Sequence, residues 1–326
     1  MRTQICALAL LMVVALGATA LPAMADTQGS SSVSLDLGNS VPPDLTAVDL
    51  YDSDESTGTT QMAPQIEYAV KISVTNGNTL NDIDTIVVVV KEAAHSGDDS
   101  ATHQATYQWS STDGWSMTGP GGTWSIDVAD CDVPTLTETS GDWWLHFTPG
   151  KVAIESVSNW KINATVTDKG SLSDNSPELT GLEMLWYGEI SEVDESFGFG
   201  SISLGDTDIQ ITGEDTVVDV KAIANGAYKL ETKSGDCTKG ADTATLDWDG
   251  TLDPGHFALE NDGLGDVITS NYVQDSYTTV TDFVNKTAPT AEGGDDEPIY
   301  VWVSVASSGF VLGIYSGTYN VQIAPA

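Results

Sequence analysis

Arginine is almost missing from this sequence. Arg2 is the single copy, and the 326 residues carry 11 basic side chains against 48 acidic ones, a formal net charge of −37. Phosphate groups are recognised by arginine forks and clustered positive charge, so nucleic acids and anionic membrane surfaces are excluded as partners. Charged residues are only 18% of the chain and hydrophobic ones 40%. That is enough apolar material for ordinary cores, which excludes a disordered polyanion. The acidity itself reads as solubility or adaptation to salt, or more sharply as cation binding.

Helical periodicity is scarce too, and no long amphipathic stretch occurs; Asn271 to Lys286 is ambiguous between helical spacing and a threonine-rich strand. Catalytic signatures are missing: there is no Gly-x-Ser-x-Gly elbow, no phosphate-binding loop and no His-Glu-x-x-His. His95, His103, His146 and His256 are dispersed without zinc-ligand spacing. Nothing in the order of residues sets two carboxylates at a glycosidase-like separation. The expectation is a protein that is not an enzyme, with an exported hydrolase as the remote alternative.

Cysteine is limited to Cys6, Cys131 and Cys237. Cys6 falls in the first 25 residues, where Arg2, the apolar run Ile5 to Leu16 and Ala23-Met24-Ala25 have the order of a secretory signal cleaved before Asp26. An exported chain permits Cys131 and Cys237 to pair, closing a loop of about 100 residues worth roughly 4–5 kcal/mol in the chain-entropy model; two separate buried thiols are the other reading. Export also makes Asn163-Ala-Thr165 and Asn285-Lys-Thr287 glycosylation candidates.

What is present is period two. Tyr68, Val70, Ile72 and Val74 alternate with polar neighbours before the Asn76-Gly77 turn signal. Ile86 to Val90 reads as a strand covered on both faces, and Trp124, Ile126 and Val128 as an alternating one. Strands are also expected at Trp143 to Thr148 and Trp160 to Thr167. In the second half they are expected at Ser201 to Leu204, Ile209 to Ile211, Thr216 to Ile223, Tyr228 to Thr232, Ala244 to Trp248 and Ile299 to Ala306. Asn225-Gly226 and Ser308-Gly309 are turn signals. Ile299 to Tyr315 reads as a hairpin rather than a membrane span, because serines interrupt it and no lysine or arginine follows. Val33, Leu35 and Leu37 alternate near the mature N-terminus, as an edge strand of the chain's own sheet or of a neighbouring copy's. The fold class is all-β, two β-sandwiches in tandem: residues 26–172, a linker over 173–186, and residues 187–326.

The segment Trp160 to Gly170, an alternating strand closed by Val-Thr-Asp-Lys-Gly, resembles the last strand of immunoglobulin-like modules in secreted bacterial and archaeal proteins. Phe197 to Gly205, Phe-Gly-Phe-Gly-Ser-Ile-Ser-Leu-Gly, is similar to the opening of sandwich modules on cell envelopes. The resemblance implies architecture and setting, with roles such as spacer, adhesin or filament subunit.

Two residue groups carry candidate chemistry. Asp247, Asp249 and Asp253 place carboxylates around the Gly250 turn and could supply hard oxygen ligands to Ca²⁺, although the full ligand ladder of an EF-hand is missing; Asp52-Ser-Asp54-Glu55 reads as a solvated loop. Trp115, Trp143 and Trp144 are candidates for stacking on a sugar or a partner, against core packing as the plainer role. Adjacent Trp143 and Trp144 must face opposite sides of a regular strand. The expected function is a secreted, acidic structural or interaction protein of the cell surface or extracellular matrix, with self-assembly as one form of it; carbohydrate binding by exposed tryptophans is the alternative. The expected partners are other copies, surface proteins or glycans.

Overall fold

The computed structural model describes residues 41–94, 100–212, 216–265 and 271–326. The expectations for the leader, the Ser32 to Leu37 strand and His95 lie outside the described residues. The described residues are all-β: among them the helical content is the single 3-10 turn Leu80–Asp82, and none of them forms a helix long and apolar enough to cross a membrane.

Alternation builds the first core. Tyr68–Thr75 sits between Asp44–Asp52 and Ser140–Thr148, all antiparallel, with Ser125–Ile126 at the far edge. A seven-stranded sheet is centred on Ser156–Asp168 and Ile83–Glu92 and continues through Gln104–Ser110 to Gly114–Gly119. Side chains of both sheets meet in one cluster that includes Ile72, Trp143, Phe147, Val88, Tyr107 and Trp160. Each such side chain removed from water contributes about 1.5–3 kcal/mol. A second cluster, from Ile211 to Val303, joins another seven-stranded sheet to the three-stranded sheet Thr278–Thr279, Tyr228–Ser234, Tyr319–Pro325.

Several expectations are corrected. The segment 173–186 is not a linker: Ser173–Asp174 and Leu179–Met184 both pair with Ser156–Asp168, and Leu182 and Met184 are buried in the first core. Ile83–Glu92 is not covered on both faces; Ile86, Val88 and Val90 are buried while Val87 and Val89 are half-buried. The strand around Trp124 shrinks to Ser125–Ile126 because Val128 is exposed. Ser201 to Leu204 forms no strand and runs into a turn at Leu204 and Gly205. Ile299 to Tyr315 is no hairpin: Asp295–Val305 pairs with Val218–Ala224 and His256–Asp262. The chain then crosses to the other sheet, where Tyr319–Pro325 pairs with Tyr228–Ser234. Asn271 to Lys286 contains only the short strand Thr278–Thr279.

Candidate functional site

Asn225 does more than turn the chain. It follows Val218–Ala224 and precedes Tyr228–Ser234, strands of two different sheets, so the Asn-Gly pair changes sheets instead of closing a hairpin. The side chain is fully buried. Its Nδ2 donates to the carbonyls of Ala153 and Leu185, both at 2.8 Å, and its Oδ1 accepts the Tyr187 N–H at 2.7 Å. Its own carbonyl accepts from the Glu155 N–H, and its N–H donates to the Tyr187 carbonyl. Every polar group of the residue is thus spent joining the strands of the second core to the segment 153–155 and to 185–187. A Cβ on Gly226 would lie 2.0 Å from a Glu155 carboxylate oxygen and 2.7 Å from Trp186 Cδ1, so both side chains would have to shift to admit one. Beside this junction Lys151 pairs with Glu189, which also accepts the Tyr187 hydroxyl. Burial raises the Glu189 carboxyl, but these two hydrogen bonds outweigh it and hold the group below its ordinary value.

A second polar centre surrounds His146. By alternation His146 lies on the face of Ser140–Thr148 opposite Leu145 and Phe147, yet only 3% of it is exposed. Nδ1 is 2.7 Å from Glu67 Oε1 and Nε2 is 3.0 Å from Glu55 Oε1. Glu55 is presented by a tight turn. Both oxygens of Asp54 accept from Ser56 and Thr57, which holds that carboxyl at about 2, chiefly through the backbone N–H groups. Glu55 itself takes the left-handed φ of 57°. From the other side, Asp127 N–H donates to the His146 carbonyl and the His146 N–H meets Cys131 Sγ at 3.2 Å. Asp130, in the same loop, completes a group in which Glu67, Asp130 and His146 set one ligand atom each within 4.8 Å of one another.

An ionised carboxylate only accepts, so the imidazole satisfies both Glu55 and Glu67 only when each of its nitrogens carries a proton. Burial disfavours that charge, but the hydrogen bonds to both glutamates prevail and raise the His146 value. The resulting stability is fully present below the unfolded value of about 6.5 and is lost as pH rises through the higher folded value. In buffer containing a chelator, melting temperature should therefore fall between mildly acidic and mildly alkaline pH, and His146→Gln should flatten that part of the profile. A wild-type slope no steeper than the variant's would show that the ring is not charged.

The residues singled out by sequence are distributed differently. Trp143 and Trp115 are buried in the first core and are not ligand-binding surfaces. Trp144 is half-buried and packs edge-on against Tyr51 with centroids 5.3 Å apart. Asp247 accepts the Asp249 N–H and faces His256 Nδ1 at 3.3 Å, while Asp249 accepts from Thr251. These two carboxylates act as turn caps, and Asp247, Asp249 and Asp253 are not brought into a three-ligand group among the described residues. Cys131 and Cys237 do not pair: both are free, one packed on each core, and burial pushes the Cys131 thiol up to about 11. Asn163 lies in the middle of Ser156–Asp168 with its Oδ1 buried, the wrong setting for an acceptor sequon, whereas Asn285 is exposed. Asp52-Ser-Asp54-Glu55 is not merely solvated, since its turn delivers Glu55 to His146. The dispersed spacing of Glu55, Glu67, Asp130 and His146 concealed this centre.

No protein-family model matches the chain, and no curated protein matches it. Among solved structures it is similar to a DUF4466 family protein from Parabacteroides merdae ATCC 43184, with 11% identity over 79% of this chain and 98% of that one, at a TM-score of 0.26. It is also similar to BcpA, the major pilin subunit of Bacillus cereus, with 8% identity over 80% of this chain and 66% of that one, at a TM-score of 0.24.

Proposed function

We propose that the chain is a secreted, non-catalytic structural or interaction component of a cell surface or extracellular matrix, built as two tandem immunoglobulin-like β-sandwiches and associating with further copies of itself. The observation that carries the reading is an apolar loop tip on an otherwise acidic protein. After Asp295–Val305, Phe310 and Tyr315 pack against the second core and meet edge-on at 6.0 Å. Between them Val311, Leu312 and Ile314 project outward at 52%, 81% and 90% exposure. The tip is held in place: Lys239 Nζ donates to the Leu312 carbonyl at 2.7 Å and lies 5.9 Å from the Tyr315 ring centroid. At its base Gly309, with φ of 93°, approaches so closely that a Cβ would sit 2.2 Å from the Gly255 nitrogen. Grouped, anchored apolar side chains of this kind mark contact surfaces. The buried junction at Asn225 supports the same reading, since it joins the two cores into one body able to present that tip.

Copies carrying a charge of −37 repel one another, so association through an apolar contact should strengthen as salt screens the repulsion. Sedimentation of the secreted protein is expected to show larger species as salt is raised. The double variant Leu312→Asp/Ile314→Asp should remain a monomer with stability within about 0.5 kcal/mol of wild type. Wild-type protein that stays monomeric at every salt concentration, or a double variant that associates equally well, would overturn the reading.

A further inference from the structure

We propose that Glu67, Asp130 and His146 bind a divalent first-row transition ion of the Zn²⁺ class, which fastens the Asp127 to Asp132 loop onto the first sheet. This goes beyond the surface role above and does not depend on it. The three ligand atoms already lie within 4.8 Å of one another, and one of them is an imidazole nitrogen. Calcium and magnesium take oxygen ligands, whereas imidazole with carboxylates suits zinc and its neighbours.

The ring is set for the task. Nε2 donates to Glu55 at 3.0 Å, which leaves Nδ1 to face Glu67. A carboxylate on the far nitrogen of a metal-bound histidine is the usual device for fixing its tautomer and raising its basicity. Binding the ion at Nδ1 displaces any proton held there, which leaves to solvent. Ligand distances of about 2.0–2.2 Å require Glu67 to back away from Nδ1 by roughly half an ångström. A half-buried carboxylate just before the strand Tyr68–Thr75 can do so by side-chain rotation. Asp130 is exposed, so the third ligand stands on the solvent side, where an ion arrives. The surrounding negative charge raises the local concentration of cations.

The test is calorimetric titration of ZnCl₂ into the chelator-treated full chain, paired with thermal melting. Wild type should bind one tight equivalent with a rise in melting temperature, and CaCl₂ should give no comparable rise. Asp130→Asn, an exposed substitution that leaves the fold intact, should weaken that equivalent at least about tenfold, and Glu55→Gln should weaken it by about 10–100-fold. His146→Gln should abolish it; if that variant does not fold, the other two decide. Co²⁺ should give visible d–d absorption in wild type that is reduced in Asp130→Asn. Equal zinc binding by wild type, Asp130→Asn and Glu55→Gln, or equal stabilisation by calcium, would show diffuse attraction to surface carboxylates and overturn the site.

Discussion

Replacing Asn225 with alanine is expected to destabilise the chain by about 2–4 kcal/mol, because it leaves one buried and two half-buried groups without their partner, at about 1–3 kcal/mol for the buried one and less where water reaches the others. The groups are the Ala153 and Leu185 carbonyls and the Tyr187 N–H, and all three belong to the chain on the first core's side of the junction or to its connection with the second. The backbone bonds of Asn225 to Glu155 and Tyr187 survive the change, so the variant should still fold. What it should lose is coupling: urea unfolding followed by tryptophan fluorescence should separate into two transitions where the wild type shows one. Asn225→Asp keeps the acceptor for Tyr187 but removes both donors and brings a negative charge next to Glu155, whose backbone N–H is bonded to residue 225. It should be no more stable than the alanine variant. A loss under about 1 kcal/mol with a single transition would mean that the two cores are held together elsewhere.

The strands that could be read directly are those whose alternation is strong. Tyr68–Thr75 and Ser156–Asp168 fall where Tyr68 to Val74 and Trp160 to Thr167 place them, because one face of each is driven into a core. Period two says which side chains share a face; it does not say what covers the other face. His146 alternates with Leu145 and Phe147 and would be expected in solvent, but the Glu55 turn and the Asp127 to Cys131 loop close over it from 91 and 15 residues away. Asn225-Gly226 has the composition of a hairpin turn, yet the asparagine's partners lie 40 and 72 residues back along the chain. The segment 173–186 looks like a linker for the same reason. Its proline and polar residues hide two short strands whose partner begins at Ser156. Local chemistry sets the elements, and long-range pairing decides the use made of each polar residue.

Trp143→Ala is expected to cost about 3–5 kcal/mol, the range for removing a large aromatic from a packed core. Trp143 is completely buried, stands opposite Ile72 in the antiparallel register, and meets Trp109 edge-on at 5.5 Å. Its neighbour gives the control. Trp144 is half-buried on the opposite face against Tyr51, so Trp144→Ala should lose only about 1 kcal/mol, roughly the value of one aromatic pair. Two adjacent tryptophans of equal composition thus differ several-fold in effect, and chemical denaturation of the two variants measures it. A third substitution separates volume from polarity. The Trp143 indole N–H has no hydrogen-bond partner among the described residues, which penalises the native side chain, so Trp143→Phe removes an unsatisfied donor along with part of the ring. Its cost should fall well below that of alanine, to about 1–2 kcal/mol, because relief of the buried donor offsets part of the lost packing. If Trp143→Ala and Trp144→Ala were equally mild, Trp143 would have to be accessible to solvent, and stacking on a sugar ring would again be open to it.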